Sequence, residues 1–407
     1  MLTETFRRAG NGRACVINRT QLNLEDASAL ACIMIVAYTE SHKVDISVVW
    51  FKVSFHAPWA NCSRWEYNGS VNQQSTPKMK ILVTGSAGHL GEALVRSLRA
   101  AGKQPIGVDI KESEFTDFVG NIADRAFVNS CISGCESVFH TATLHKPHIG
   151  THSRQEFVDT NISGTLSLLE ESLENGCKSF IYTSTTSTFG DAMRPEPGDP
   201  AVWVTEELRP KPKNIYGVSK TTAEELCELF HRRTQLPCIV LKTSRFFPER
   251  DDAKDKRDKY EDANLKVNEL LFRRADIADI VDAHQMASAK ASDIGFDRLI
   301  ISSTTPFQKT DAKQLGIDAP SVLERYVPSY VDLYSTKNWK MFPTLGRVYD
   351  NSRARDRLGW EPKHTFENSV EMLLQGADYR SELSRQIGSK GYHDKEFDEG
   401  PYPISSF

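Results

Sequence analysis

The sequence lacks several features that mark particular classes of protein. Its apolar runs at residues 29–38 and 48–55 are far too short to span a bilayer, and no tripartite secretory signal is present. The formal net charge of −4 gives none of the basic excess that is typical of nucleic-acid-binding proteins. We therefore expect a cytoplasmic protein with no membrane anchor and no nucleic-acid partner.

The eight cysteines lack both the spacing of a metal site and the framework of a secreted, disulfide-linked domain. They predict reduced thiols in the core or at the surface. With 407 residues, of which 39% are hydrophobic, the chain is long enough to bury a sizeable core. The composition therefore favours a globular enzyme in a reducing compartment.

What the sequence does contain begins with a glycine-rich turn between a strand and a helix. Residues 80–83 predict a short buried strand, and apolar residues recur at helical spacing over residues 90–101. The intervening turn holds Gly85, Gly88 and Gly91. Glycines at this spacing allow a positive φ, the close approach of backbone to a pyrophosphate, and tight packing of helix on strand. The segment predicts a dinucleotide-binding turn.

An acidic residue at the end of the next strand indicates which dinucleotide binds. A second apolar strand, residues 104–108, is followed by Asp109. A carboxylate at this distance accepts hydrogen bonds from the ribose hydroxyls of NAD and repels the 2′-phosphate of NADP. We therefore favour NAD, while the nearby Lys111 leaves NADP as an alternative.

Further strands alternate with helices, which is the pattern of a doubly wound parallel sheet. Strands are predicted over residues 137–141, 179–183 and 238–241, and helices over residues 157–173 and 216–232. Ligands of such sheets bind beyond the carboxyl ends of the strands. That rule places residues 140–148, 184–190 and 244–251 around one crevice.

Tyr216 and Lys220 lie four residues apart, on one face of a predicted helix. The unperturbed pKa of tyrosine is about 10, so proton transfer at neutral pH needs a stabilised phenolate. The positive charge of Lys220 would lower the pKa of Tyr216, and the same lysine can hold a nicotinamide ribose. Taken alone, a Tyr and a Lys at this spacing are more typical of an ordinary helix surface than of a catalytic site. After a dinucleotide-binding turn, the same pair predicts an acid/base catalyst.

From Met79 to about Lys363 the chain resembles an extended short-chain dehydrogenase/reductase of the NAD-dependent epimerase/dehydratase family. Five segments in order carry the resemblance: residues 84–91, 159–165, 182–190, 216–220 and 358–362. It implies an α/β fold, a Rossmann-type doubly wound parallel sheet with a smaller C-terminal substrate-binding region. The NAD-binding core would cover about 78–245, and the substrate-binding part about 246–380 with segments that return to the core.

The resemblance also implies functional residues. The catalytic group would be Thr185, Tyr216 and Lys220, with Ser184 as the alternative hydroxyl. Tyr216 and Lys220 would also contact the cofactor, NAD, together with Gly85, Gly88, His89, Leu90, Gly91, Asp109, Asn121, Ile122, Thr141, Ala142 and Asn161. In relatives, the helices corresponding to residues 157–173 and 216–232 form a four-helix dimer interface, so a homodimer is expected.

The substrate side departs from the sugar-nucleotide pattern of the family. UDP-sugar epimerases carry Arg-Tyr-Phe-Asn after the sixth strand, whereas this chain has Pro248 in place of the asparagine. An anionic substrate is still favoured, because several arginines could converge on it. The candidate substrate residues are His145, Ser187, Arg245, Arg273, Arg274 and Arg347.

A group of histidines follows the fourth strand, namely His145, His148 and His152. Pro147 and Gly150 break the helix that would align them, and no acidic or cysteine ligand accompanies them. We therefore expect a substrate-entry loop rather than a metal site.

The predicted activity is NAD-dependent oxidoreduction or epimerisation at a secondary alcohol or ketone, with sugars and sugar nucleotides among the candidate substrates. The alternatives are a simple reductase or dehydrogenase of a non-nucleotide alcohol, and a nucleotide-sensing regulator without turnover. Residues 1–77 predict a poorly ordered extension or a misassigned start of translation. Residues 249–262 predict a mobile loop, and residues 381–407 a largely irregular tail.

Overall fold

The computed structural model describes residues 79–196 and 198–391, His393 and Phe397, and, before them, the backbone of four strands. The chain divides into two units, residues 1–77 and 78–407. Unit 1 contains an antiparallel sheet of β1 (Cys15–Ile17), β2 (Ala29–Glu40), β3 (Lys43–Ser54) and β4 (Trp65–Glu66), paired in that order. The sequence-based expectation for residues 1–77, poor order or a misassigned start, stays a prediction.

Nine strands of unit 2 are described. In chain order they are β5 (Lys80–Thr84), β6 (Gln104–Asp109), β7 (Phe118–Val119), β8 (Ser137–His140), β9 (Ser179–Thr185), β10 (Val202–Val204), β11 (Cys238–Thr243), β12 (Phe296–Ile301) and β13 (Arg347–Tyr349). Seven of them form one parallel sheet in the order β12-β11-β9-β8-β5-β6-β7, and β10 pairs in parallel with β13. The predicted doubly wound parallel sheet is confirmed, with β7 and β12 as strands that the sequence analysis did not identify.

Fourteen helices of unit 2 are described. They are α1 (His89–Ala100), α2 (Arg125–Ile132), α3 (Arg154–Val158), α4 (Gly164–Glu174), α5 (Ile215–Thr234), α6 (Lys254–Lys259), α7 (Asp262–Leu270), α8 (Ile277–Ile294), α9 (Ala312–Leu315), α10 (Ala319–Tyr326), α11 (Tyr330–Lys337), α12 (Ser352–Leu358), α13 (Phe366–Leu374) and α14 (Glu382–Ile387). A π-helical turn, Asp159–Ser163, joins α3 to α4. Among the described residues, no helix is both long and apolar enough to cross a membrane.

The sheet is buried on both faces, because alternate side chains of its strands enter two separate cores. Ile81 and Val83 pack in the core that contains α1, α8 and α12, whereas Leu82 packs in the core that contains α2, α4 and α5. A third core, formed by α7, α10, α11 and α13, builds the smaller region that follows the sheet. This layering leaves the carboxyl ends of the strands open between the sheet and the smaller region.

Two segments, residues 249–262 and the C-terminal tail, differ from the sequence-based expectation. Within the predicted mobile loop 249–262, the structure contains α6 and buries Glu249 and Asp251. Within the predicted irregular tail, α14 packs against α1 and α8. Ile387 and Leu383 of α14 pack into the core that contains α1 and α8, whereas Glu249 and Asp251 are held by ion pairs and hydrogen bonds.

Candidate active site

A cavity of about 1370 Å³ opens at the carboxyl ends of the central strands. Strand order reverses between β5 and β8, so the loops after these two strands diverge and leave a crevice between them. All three segments that the sequence analysis placed around one crevice contribute to its walls: residues 140–148, 184–190 and 244–251. The cavity has a cofactor end, at the start of α1, and a substrate end, beside the smaller region.

The turn between β5 and α1 is shaped for a phosphate group. Gly85 has a φ of 72°, and a Cβ placed on Gly91 would lie 1.9 Å from the carbonyl oxygen of Gly85. No side chain caps the N-terminus of α1, so its first backbone N–H groups have no intrahelical partner where they line the cavity. A helix start of this kind binds anions through N–H groups and the helix dipole.

Asp109, at the end of β6, connects this turn to the neighbouring wall. One of its carboxylate oxygens accepts a hydrogen bond from the Ala87 backbone N–H at 3.0 Å, and the other accepts one from the Lys111 N–H at 2.9 Å. The carboxylate lines the cavity next to the glycine turn. Its recognition of an adenosine ribose stays a prediction.

The three predicted catalytic residues meet in the middle of the cavity. Thr185 ends β9, Tyr216 lies in the first turn of α5, and Lys220 follows one turn later. The Tyr216 phenol lies close enough to the Thr185 side chain for Thr185 to lower its pKa. The Lys220 ammonium donates to the Thr183 carbonyl oxygen at 2.8 Å. A hydroxyl, a phenol and an amine therefore face one space beside the glycine turn.

Burial sets the ionisation of this group. It raises the pKa of Tyr216 to about 12, against the opposing effect of Thr185, and it lowers the pKa of Lys220 to about 7. Burial is the largest influence on the phenol in this structure, and a lowering of its pKa by Lys220 stays a prediction. In this structure Tyr216 is therefore a neutral proton donor at neutral pH.

Most of the predicted cofactor residues line the cavity, namely Gly85, Gly88, His89, Leu90, Gly91, Asp109, Asn121, Ile122, Thr141, Ala142, Tyr216 and Lys220. Asn161 does not. It is buried, and its amide group exchanges hydrogen bonds with the backbone of Leu144 and donates to the Ser219 hydroxyl. In this structure Asn161 holds the loop after β8 against α5, and its contact with a cofactor stays a prediction.

The candidate substrate arginines also differ in whether they line the cavity. Arg245, Arg273 and Arg347 line the cavity, whereas Arg274 is buried behind it against Glu269, at 2.8 Å. The contact of Arg274 with a substrate therefore stays a prediction that its position in this structure does not favour. His145 and Ser187 line the cavity as predicted.

Arg245, Arg273 and Arg274 belong to a group of charges that we call the paired cluster, with the carboxylates of Asp251, Asp252 and Glu269. Arg245 contacts all three carboxylates, at 3.0 Å for Asp252 and 3.2 Å for Glu269. Arg273 contacts Glu269 at 2.5 Å. Glu269 is fully buried, and the three arginines hold its pKa well below the ordinary carboxyl value in spite of that burial.

The sequence analysis missed a contact that brings the C-terminal segment to the cofactor end. Glu249 accepts hydrogen bonds on one oxygen from His89 at 2.7 Å, from the Ser389 hydroxyl at 3.0 Å, and from the backbone N–H groups of Lys390 and Gly391. Lys390 also pairs with Glu92 on α1. No sequence motif indicates this contact, because its partners are separated by more than a hundred residues.

The loop that carries His145, His148 and His152 also lies at the cofactor end of the cavity. The ring of His145 stacks on Phe247 with centroids 5.5 Å apart, and His148 packs edge-on against His145, His152 and His393. Burial, with the charges of His152 and His393, lowers the pKa of His148 to about 3. Within the described part of the chain, no group of histidine, cysteine or acidic side chains is arranged to hold a metal ion.

The fold and this site define a class of protein. A parallel sheet with a glycine-lined turn at its switch point, an acidic residue after the second strand and a Thr-Tyr-Lys group is an extended short-chain dehydrogenase/reductase. Residues 81–290 match the model of the NAD dependent epimerase/dehydratase family, so the chain belongs to that family. The resemblance identified from the sequence is confirmed.

Curated relatives cover this chain to different extents. An uncharacterized protein, y4nG of Sinorhizobium fredii, is 31% identical over 169 residues, which are 40% of this chain and 39% of the relative. A UDP-glucose 4-epimerase of Rhizobium meliloti is 28% identical over 40% of this chain and 50% of its own. A putative UDP-arabinose 4-epimerase of Arabidopsis thaliana is 24% identical over 74% of this chain and 81% of its own. The chain thus spans about half the length of most of these relatives.

Solved structures show the same fold. A UDP-glucose 4-epimerase of Thermotoga maritima, determined with UDP-glucose, has a TM-score of 0.51 and 23% identity, over 73% of this chain and 99% of its own. A short-chain dehydrogenase/reductase superfamily protein of Agrobacterium tumefaciens, with bound NAD, has a TM-score of 0.53 and 20% identity, over 75% and 97%. At these identities the likeness establishes the fold alone.

Proposed function

We propose that this chain is an NAD-dependent oxidoreductase or epimerase that acts at a secondary alcohol or ketone of a sugar or sugar nucleotide. The observation that carries the proposal is the convergence of Thr185, Tyr216 and Lys220 in one cavity with the glycine turn. The family supports NAD as the cofactor. The relatives named as UDP-sugar epimerases support the substrate class.

The residues present fit NAD. The turn from Gly85 to Gly91 leaves room that a Cβ would fill, and the uncapped start of α1 would hold the pyrophosphate. Asp109 would accept the hydroxyls of the adenosine ribose. Lys220, one helical turn from Tyr216, would hold the nicotinamide ribose, and bound NAD supplies hydride acceptance and donation.

Within that arrangement the chain's own residues handle the proton. Tyr216 would donate its phenolic proton to the substrate carbonyl oxygen when hydride reaches the adjacent carbon, and the phenolate so formed would take the hydroxyl proton back in the reverse step. Thr185, beside Tyr216, would position the reacting oxygen. Because burial raises the pKa of the phenol and lowers that of Lys220, the Lys220 amine can exchange a proton with its surroundings near neutral pH.

The test is Tyr216→Phe in the NAD-loaded protein, with UDP-glucose and other UDP-sugars as substrates. Removal of a positioned proton donor typically costs a hundredfold to ten-thousandfold in rate, so turnover should fall by about that factor while NAD affinity is retained. Product formation is followed by chromatography, and net redox by the absorbance of reduced nicotinamide. Stoichiometric accumulation of NADH would indicate a dehydrogenase, and its absence during turnover an epimerase.

Tyr330→Phe is the matched control, because Tyr330 is a buried tyrosine whose hydroxyl bonds to the Pro320 carbonyl, away from the cavity. It should leave turnover unchanged. Equal turnover in the Tyr216→Phe and unaltered proteins would defeat the mechanism. Retained NAD binding with no turnover of any substrate by the unaltered protein would instead support a nucleotide-sensing regulator.

We further propose that the protein is a homodimer. The helices α4 and α5, which correspond to the dimer interface of relatives, carry three exposed apolar side chains: Leu173, Val218 and Leu229. A two-fold contact would bury both helices at once. The exposure of these side chains supports the expectation from the sequence.

A further inference from the structure

The substrate end of the cavity carries a second group of cations that differs from the paired cluster. We call Arg194, Lys213 and Arg347 the cationic cluster, and all three line the cavity. Their single carboxylate neighbour is Asp191, whose oxygen lies 3.4 Å from the Lys213 ammonium and 4.0 Å from the Arg194 guanidinium, as far as the described residues go. Three positive charges thus share one negative charge.

Arg347 is the least compensated of the three. Among the described residues, no carboxylate lies within ion-pair distance of its guanidinium, and its buried Nε has no hydrogen-bond partner. Its side chain lies instead against the rings of Phe272 and Tyr349, at 5.9 and 5.8 Å from their centroids. A buried guanidinium nitrogen without a partner is costly unless a ligand completes its hydrogen bonds.

Three segments from distant parts of the sequence bring the cluster together. The turn that carries Arg194 is fixed to the segment before α5 by the hydrogen bond from the Asp191 N–H to the Lys211 carbonyl, at 2.9 Å. The same turn packs on the strand that carries Arg347, because a Cβ on Gly346 would lie 3.5 Å from the ring of Pro195. Packing therefore fixes the backbone that carries the cluster, although the Arg194 side chain itself is 69% exposed.

The electrostatics agree with this geometry. Partial burial and the positive charges of Arg194 and Arg347 lower the pKa of Lys213, and its contact with Asp191 opposes the shift only in part. A net positive field of this kind is relieved when an anion binds. Lys213 is also only three residues before Tyr216, on the segment that leads into α5.

We propose that the cationic cluster binds an oxyanion of the substrate, a phosphate or a carboxylate, and so orients the substrate towards Tyr216. This inference rests on the proposed function, because it assigns a substrate group to the same cavity. Guanidinium groups form paired, charge-assisted hydrogen bonds with both kinds of oxyanion. The paired cluster cannot do this without first breaking its contacts with Glu269, Asp251 and Asp252.

The test measures binding without turnover. The protein is saturated with NAD, so that its glycine turn is not available to a phosphate group, and is titrated calorimetrically with glucose 1-phosphate, glucuronate and glucose. At least one anionic probe should bind more tightly than glucose, and which of the two does so identifies the oxyanion. Arg347→Gln and, separately, Lys213→Gln should each weaken that probe by about tenfold, the usual effect of one charge-assisted hydrogen bond.

Lys211→Gln is the matched control, because Lys211 is an exposed lysine two residues from Lys213 that does not line the cavity. It should leave binding unchanged, and circular dichroism checks that each variant is folded. The inference is overturned if neither anion binds better than glucose, or if Lys211→Gln weakens the anion as much as Lys213→Gln does. If Arg347→Gln and Lys213→Gln both lose anion binding while the unaltered protein turns over no substrate, the anion subsite is supported and the proposed function is rejected.

Discussion

The two ends of the cavity are built in different ways. At the cofactor end, one continuous stretch, residues 80–109, supplies the strand, the glycine turn, the start of α1 and the Asp109 carboxylate. At the substrate end, the charged side chains come from separate segments around residues 194, 213, 245, 273 and 347. The first arrangement is made mainly by backbone and the second by side chains.

The difference explains which ligand each end can recognise. A backbone turn offers N–H groups at fixed positions, so it suits a constant group such as a pyrophosphate. Side chains on separate segments can change charge or pairing with a single substitution, so that end is where a substrate preference can differ between relatives. The two clusters differ in their compensation: the arginines of the paired cluster have three carboxylate partners, whereas the three cations of the cationic cluster share one carboxylate.

Of the predictions that test this contrast between the two ends, the largest loss of stability on substitution is expected at Glu249, which connects the C-terminal segment to the cofactor end. Glu249→Gln removes the charge that His89 and the N–H groups of Lys390 and Gly391 stabilise. Loss of one member of a buried charged pair typically costs about 3 kcal/mol or more, so the free energy of unfolding at neutral pH should fall by about that amount. Denaturant unfolding measures it.

The pH dependence of this effect has a definite sign. Burial favours the neutral form of Glu249, but the contacts with His89 and Lys390 outweigh it and lower its pKa from 4.5 to about 2. The stabilisation is therefore complete above pH 4.5 and is lost as the pH falls towards 2. Glu207→Gln, which alters an exposed carboxylate paired with Arg353, is the control and should change stability little. A difference between the Glu249→Gln and unaltered proteins that does not shrink in acid would contradict the assignment.

The same contrast separates what the sequence predicts from what it does not. The strands β5, β6, β8, β9 and β11, the glycine turn and the pair of Tyr216 and Lys220 follow from local patterns, because each depends on residues that are close in the chain. Thr185 follows only from the family resemblance. The contact of Glu249 with residues 389–391 and the approach of Gly346 to Pro195 join segments more than a hundred residues apart. Periodicity carries no information about such pairs.

Charge alone was also a poor guide at the substrate end. The sequence analysis grouped Arg245, Arg273 and Arg274 with Arg347, since all four are basic. Only the structure shows that the first three have buried or partly buried carboxylate partners. Arg194 and Lys213 were missed because neither lies in a recognisable motif, and their role depends on the turn at Asp191.

A second prediction sharpens the description of the cofactor end. Asp109→Ala removes the acceptor for the ribose hydroxyls and the repulsion of a 2′-phosphate. The affinity for NAD should fall by about tenfold, as for loss of hydrogen bonds to a charged group, while the affinity for NADP should change less. Calorimetric titration with both nucleotides measures the ratio.

Lys111→Ala is the companion variant, because Lys111 is the residue that would favour a 2′-phosphate. It should leave the affinity for NAD close to that of the unaltered protein. A preference for NADP in the unaltered protein would reverse the assignment of the cofactor. In that case the role of Asp109 would be structural, namely to hold the glycine turn through its hydrogen bond with the Ala87 N–H.

The most specific effect is expected where the two ends meet, at Lys220. Burial lowers its pKa from 10.5 to about 7, so between these values the unfolded chain binds a proton at this lysine that the folded protein does not. More protons bound in the unfolded state means that stability rises with pH, by at most about 1.4 kcal/mol per pH unit. Lys220→Met removes this dependence in the cofactor-free protein.

The measurement is therefore a difference between two pH profiles of thermal or denaturant unfolding. Below pH 7 the unaltered protein carries the full cost of a buried ammonium, and its deficit relative to Lys220→Met should shrink as the pH rises from 7 to 10.5. Any loss of packing in the variant is independent of pH and shifts the whole difference without changing its slope. Lys178→Met, at a lysine whose side chain is 75% exposed, should show no such slope. Parallel profiles for the unaltered and Lys220→Met proteins would mean that Lys220 stays charged in the folded protein throughout this range, and the proton exchange proposed for it near neutral pH would have to be abandoned.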